Sequence, residues 1–458
     1  MISTLQQTNG PTTNILKVRE DTDPVEFSLD ESGAQRDSES VPGWAEECLD
    51  RPQLRSRIEP WLTSLVQADH LNLLVGSGLT TGMQHLARAD APKSMDAGQF
   101  STHQEAISRA SKASAKAARR GTPNIEDEIR TANQLLRGLE ILEDPEATPL
   151  AEDLRKVMTA FSASILEGER GIAIAGEEER EQAFTTLVAF LMSFASRTGT
   201  RDRLGLFTTN YDRVLEAGAE LAGLHLIDRF VGSLSPIFRS SRLDLDLHYN
   251  PPGIRGEPRF VEGVARFTKL HGSLDWVDTG TAIRKVGVPF GATTLDPYLE
   301  VPGYTEADAR RLMIYPNASK DRETAEFPYV ELFRDFATAV ARPNTVTVTY
   351  GYSFGDEHIN RVLQDALTIP SAHLVVISYG DSLGRIMEAF ETWGHKSQMS
   401  LLIGPELADL TTLTKHYLPK PSIDFASRRM GELLRQRHGE GSATSVTSKT
   451  GAAAEVTS

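Results

Sequence analysis

Five times along this chain an apolar or β-branched run stops abruptly at small and polar residues. Leu71 to Val75 runs into Gly76-Ser77-Gly78, Leu204 to Thr208 into Asn210-Tyr211-Asp212, and Phe267 to Leu270 into His271-Gly272. Thr345 to Tyr350 runs into Gly351-Tyr352-Ser353, and Leu374 to Ile377 into Ser378-Tyr379-Gly380. A short strand without polar alternation is buried on both faces, which is the condition of a parallel sheet covered by helices. Helical patterns stand between the later runs, over 359–367 and 383–393. The alternation predicts an α/β protein with a doubly wound sheet. In such sheets ligands bind beyond the carboxyl ends of the strands, so the five polar junctions are expected at one edge.

Between the first and second runs the pattern is helical. Ile125, Ile129, Ala132, Leu135, Leu139 and Leu142 form one apolar stripe, and Leu150, Leu154, Val157, Phe161 and Ile165 a second. Phe184, Leu187, Val188, Leu191 and Phe194 form a third, and such stripes are expected to be bundle core. The resulting expectation is a mostly parallel, Rossmann-like sheet assembled from residues 43–82 and 201–436, with a large helical insertion over 83–200. Residues 1–42 mix Asp, Glu, Ser and Thr with little periodicity and are expected to be a disordered leader, as are residues 437–458 as a tail.

Bulk properties narrow the function. The net charge of −15 argues against strong direct nucleic-acid binding through the overall field. Lys112, Lys116, Arg119 and Arg120 form the best local basic candidate, read as the solvated face of a helix. The single cysteine, Cys48, excludes an internal disulfide and any multi-cysteine zinc site. No apolar run reaches the ~20 residues needed to span a membrane, and the N-terminus lacks a secretory signal pattern. A cytoplasmic, reducing compartment is expected.

Each junction admits a plain reading beside a chemical one. Gly76 and Gly78 let backbone approach a phosphate at a helix N-terminus, yet glycine turns after strands are common. The turn is neither a P-loop nor a full three-glycine dinucleotide fingerprint, because neither Gly-Lys-Ser/Thr nor the third glycine follows. Asn210 offers an amide that both donates and accepts, suited to a sugar, while Asp212 serves equally well as a helix cap. His271 at a strand end can be a satisfied structural histidine or a base, since an unperturbed imidazole titrates near ~6.5. Trp276 can wall a pocket or sit in the core.

Taken in order, four stretches resemble the sirtuins. GSGLT (76–80) resembles their nucleotide loop of GAGIS type, and TTNYD (208–212) their TQNID segment. KLHGSLDW (269–276) resembles their histidine-glycine motif, and GYSFGD (351–356) their glycine-serine turn after a strand. The chain looks like the divergent prokaryotic sirtuin-like branch found in antiphage NAD-depleting systems, and MIYPNASKDRETAEFPYVELF (313–333) has the look of that branch. The resemblance covers roughly 70–395. It departs where deacetylating sirtuins carry two cysteine pairs on a zinc ribbon; residues 277–312 hold no such ligands, and Thr209 and Tyr211 replace glutamine and isoleucine.

That resemblance implies NAD as substrate, no zinc, and cleavage of the nicotinamide–ribose bond. It assigns catalysis to Asn210, holding the ribose or a water, and to His271 as general base. It assigns NAD contacts to Gly76, Ser77, Gly78, Thr80, Thr209, Asp212, Gly351, Ser353, Ser378 and Tyr379. It further implies a homo-oligomer held in check until triggered, with a HerA-type ATPase as the first candidate partner. A protein deacylase and a non-catalytic NAD- or ADP-ribose-binding subunit are the competing readings.

Overall fold

A computed structural model describes residues 13–420, apart from 31–32, 35–42, 45–48, 90–97, 118–122, 124, 198, 241–245, 251–258, 301–303, 305–326 and 382. Its strands are β1 (Asn14–Lys17), β2 (Val25–Phe27), β3 (His70–Val75), β4 (Leu204–Thr208), β5 (His225–Ile227), β6 (Phe230–Val231), β7 (Ile237–Phe238), β8 (His248–Tyr249), β9 (Arg259–Phe260), β10 (Val264–Lys269), β11 (Trp276–Asp278), β12 (Ile283–Lys285), β13 (Thr345–Tyr350), β14 (His373–Ser378) and β15 (Met399–Ile403). Helices α1 (Arg51–Val66) and α2 (Ser77–Leu86) flank β3, and α3 (Gln104–Ala117), α4 (Ile125–Ile141), α5 (Ala147–Ala173) and α6 (Glu177–Ala195) follow. Then come α7 (Val214–Ala222), α8 (Asp296–Leu299), α9 (Tyr329–Val340), α10 (Glu357–Ala366) and α11 (Arg385–Thr392).

Nine strands form one sheet in the order β2-β1-β15-β14-β13-β3-β4-β10-β5. Every pair from β15 to β5 is parallel, and β1 and β2 add antiparallel strands at one edge. The sheet is buried on both faces, as the unbroken apolar runs predict. Leu71, Leu73 and Val75 point into a core shared with α1, α2, α6 and α7, while Leu74 points into the opposite core with α9, α10 and α11. The chain therefore is a doubly wound α/β fold. Strand order reverses at β3: β4 lies on one side and β13 on the other, which makes the β3/β13 crevice the switch point where such sheets bind ligands.

Two expectations about the domain layout are revised. The segment expected as a disordered leader contains β1 and β2, and β1 pairs with β15 in the register Ile15↔Ile403. Lys17 is 2% exposed, and its ammonium donates to the Lys396 and Met399 carbonyls, both at 2.9 Å. A strand this short has no periodicity of its own to read; its partner β15 lies almost the whole chain away. The helical block also divides. α3, α4 and most of α5 share a separate core that includes Phe100, Ile107, Ile129, Leu154 and Phe161. α6 instead covers the main sheet through Phe184, Leu187, Phe190, Leu191 and Phe194. An apolar stripe reveals that a helix packs, not which core receives it.

Lys112 and Lys116 are exposed on α3, as a solvated helix face requires, while Arg119 and Arg120 lie outside the described residues, as do 437–458. Among the described residues no helix is long and apolar enough to cross a membrane.

One half-buried group is expected to make the stability of the sheet pH-sensitive. His373, at the start of β14, is hydrogen-bonded to Ser400 Oγ at 2.9 Å, and burial pushes its imidazole down to about 4. The unfolded chain takes up this proton near pH ~6.5 while the folded chain does not. Stability is therefore retained above that pH and falls as pH drops toward 4, by roughly 3 kcal/mol from this group. Urea unfolding across this window should show that slope in the parent and a flatter one in His373→Gln.

Candidate nucleotide and catalytic site

The five polar junctions do meet at one sheet edge, because β10, β4, β3, β13 and β14 are parallel and in register. At the switch point backbone packs directly on backbone. A methyl group on Gly76 would lie 2.5 Å from the Gly351 carbonyl oxygen, and one on Gly78 2.6 Å from Gly351 Cα. Gly351 itself has φ +61, a conformation that L side chains rarely adopt. The Gly76 amide donates to the Tyr350 carbonyl at 3.0 Å and the Gly78 amide to the Gly351 carbonyl at 3.1 Å. These two amides are thus spent within the protein. The glycines act by letting β3 and β13 end in contact, which places Ser77 and Gly78 at the start of α2 on a cavity wall.

Above this contact lies a cavity of about 450 Å³. Ser77, Gly78, Gly351, Ser353, Ser378 and Tyr379 line it, six of the residues that the resemblance assigned to NAD. Tyr379 is 63% exposed at the same wall. The volume is that of a site for a small organic ligand. Gly78→Ala forces the Gly351 backbone to move, and is expected to weaken binding of a ligand seated in this cavity, NAD by the resemblance, by about tenfold or more (roughly 1.4 kcal/mol or more). Calorimetric titration with NAD reads this directly.

The remaining candidates lie beneath the glycine contact rather than in the cavity. Asn210 is 7% exposed, and its amide nitrogen donates to the Gly76 carbonyl and to Thr80 Oγ1, both at 3.1 Å. Thr80 Oγ1 in turn donates to Asp212 Oδ2 at 2.7 Å. Asp212 also accepts from the Val214 amide at 3.1 Å, a turn bond at the entry to α7, whose N-cap is Arg213, while its second oxygen fixes Thr80. Thr209 is half-buried and donates its amide to the Val75 carbonyl at 3.3 Å. The whole 209–213 loop is clamped from several sides. Tyr211 packs edge-on against Phe161 of α5 at 5.8 Å, and Lys269 donates to the Asp212 carbonyl and to Glu216. Arg213 pairs with the buried Glu169 of α5, whose carboxylate also accepts the Arg213 amide at 2.7 Å.

His271 follows β10 and is 2% exposed. Its ring lies 6.3 Å from that of Tyr211 and 6.0 Å from that of His358. Nε2 stands 3.6 Å from Asp356 Oδ2. Ligand atoms of His271, Asp356 and His358 all lie within 4.8 Å of one another. Two imidazoles and a carboxylate form a donor set able to hold a divalent cation. Asp356 and His358 join His271 in this cluster without having been singled out by sequence reasoning as candidate site residues. Their signal was present, since both directly continue the GYSFG stretch that carries Gly351 and Ser353. Trp276 packs against Phe230 at 4.9 Å and is 3% exposed, a core residue of the small β11-β12-β7-β6 sheet.

Residues 205–397 match the family model of the SIR2-like domain. No curated protein matches the chain. The match spans Asn210, His271, Gly351, Ser353, Asp356, His358, Ser378 and Tyr379. It leaves out the Gly76–Thr80 stretch, which the fold nevertheless brings against Gly351. The matched segment thus supplies one wall of the switch-point cavity, and α2 together with Ala408, Asp409 and Leu410 supplies the rest.

Proposed function

We propose that this chain is an NAD glycohydrolase, cleaving NAD to nicotinamide and ADP-ribose. The observation that carries this reading is a nucleotide-sized cavity at the switch point of a SIR2-like domain. Gly76, which immediately precedes the Ser77–Gly78 wall, accepts a hydrogen bond from Asn210. Breaking the nicotinamide–ribose bond places positive charge on the sugar, as glycoside hydrolysis does. The cavity would take the adenosine and phosphate portion, with α2's N-terminus facing the phosphates. Asn210 would hold the ribose or the attacking water, and His271 would accept its proton.

His271 is buried, as a base held inactive would be. That burial supports the wider reading. We take the chain to be an effector of antiphage defence that depletes NAD on infection. It would be held silent as a cytoplasmic homo-oligomer until released through a partner such as a HerA-type ATPase. The support for this role is the resemblance set out above together with the buried base.

The test is incubation of the purified chain with NAD, alone and with the candidate ATPase, and quantification of nicotinamide and ADP-ribose. Stoichiometric appearance of both products is expected in at least the partnered reaction. Tight NAD binding with no product in either would establish a binding subunit instead. Product formation only in the presence of an acetyl-lysine peptide would establish a deacylase.

A further inference from the structure

We propose that Asp356 is a positioning residue for His271. It is delivered by the switch-point loop, so that the segment walling the nucleotide cavity also orients the base. This inference rests on the reading of His271 as the general base. Asp356 occupies the N-cap of α10, where an aspartate ordinarily spends its carboxylate on amides of the first turn. Here it makes no such capping bond. Its carboxylate instead stands 3.6 Å from His271 Nε2, with both side chains at most 9% exposed.

The backbone that presents it is held in place. Tyr352 Oη lies 3.1 Å from the Asp356 carbonyl and 2.9 Å from Asn360 Oδ1, sharing its one proton between them, and Asn360 Nδ2 donates to the Phe354 carbonyl at 2.9 Å. Burial pushes the Tyr352 phenol well above its ordinary range, so it stays a donor. Phe354, at φ +53, and Gly351, at φ +61, shape the turn between β13 and Asp356. His358, one turn position further, packs on Phe333 at 4.8 Å and closes the far side of the cluster.

A carboxylate at this distance favours the tautomer with the proton on Nε2. That leaves Nδ1 as the basic nitrogen, and it stabilises the imidazolium formed when the base takes its proton. The 3.6 Å separation is just beyond hydrogen-bond length; such contacts are often long without substrate and tighten once it binds. A residue working through His271 in this way affects the rate and leaves NAD binding alone.

The experiment compares the parent, Asp356→Asn, Asp356→Glu and His271→Ala, each as the full chain with whatever partner supports turnover. In Asp356→Asn, kcat is expected to fall by about 10²-fold or more with KM and NAD affinity unchanged. Asp356→Glu should recover part of the loss, because the charge returns. Independently of turnover, ¹⁵N imidazole NMR on histidine-labelled protein reads the tautomer. The His271 signal, assigned by its loss in His271→Ala, should show protonated Nε2 in the parent and a changed tautomer ratio in Asp356→Asn. An unchanged tautomer, or unchanged kcat in Asp356→Asn while His271→Ala is dead, overturns the positioning role and leaves the base intact. Full turnover in His271→Ala overturns the base reading itself. Equimolar zinc binding by calorimetry that requires both Asp356 and His358 would make the cluster a metal site and also overturn the positioning role.

Discussion

His271→Ala is expected to abolish nicotinamide release while the protein stays folded and still binds NAD. The reason is spatial separation. The residues that line the switch-point cavity do not include His271, so truncating it removes no wall of the nucleotide site. A positioned general base contributes on the order of 10²–10⁴-fold to rate. Product release, thermal stability and NAD calorimetry on one preparation distinguish the outcomes. A purely structural histidine predicts the reverse pattern, with a lowered melting temperature and unchanged turnover per folded molecule. His271 is packed among Tyr211, Asp356 and His358, so some stability loss is expected too. The decisive quantity is turnover normalised to folded protein.

The second large effect is expected at Glu169, far from the strand ends in sequence. Its side chain is fully buried and pairs with Arg213, which is 7% exposed, and Arg213 also donates to the Val288 carbonyl. Burial pushes the Glu169 carboxyl upward, against the pull of the Arg213 guanidinium. Removing the carboxylate strands a buried cation, which costs about 3–5 kcal/mol. Glu169→Ala should therefore unfold at markedly lower urea concentration. It should also lower turnover per folded molecule, because Glu169 accepts the backbone amide of the loop that carries Asn210. Equal urea midpoints for variant and parent would show that the pair contributes nothing net. α5 is thereby the physical link between the helical block and the 209–213 loop: Phe161 holds Tyr211 and Glu169 holds Arg213.

Much of this was legible in the chain itself. The runs at 71–75, 204–208, 267–270, 345–350 and 374–377 announce strands because burial on both faces excludes polar alternation. Once parallel, they put their following residues at one edge, so Gly76, Asn210, His271, Gly351 and Ser378 come together by topology. Residue type then limits the chemistry that each can do. What tertiary structure alone decided was which of these neighbours share a wall and which are buried beneath it. Ser77, Gly78, Gly351, Ser353, Ser378 and Tyr379 line the cavity, while Asn210, Thr80 and Asp212 bond to one another below it. Asp212 stabilises the turn into α7 with one oxygen and tethers Thr80 with the other rather than capping the helix, a choice that sequence left open, since only packing assigns the two oxygens. β1 docks on β15 through backbone bonds and a buried lysine, and α6 covers the main sheet rather than the insertion's core. Asp356 turns away from its own helix toward His271 because the β13 loop aims it there. Local pattern fixes what a segment becomes; partners hundreds of residues away determine where its polar groups are satisfied.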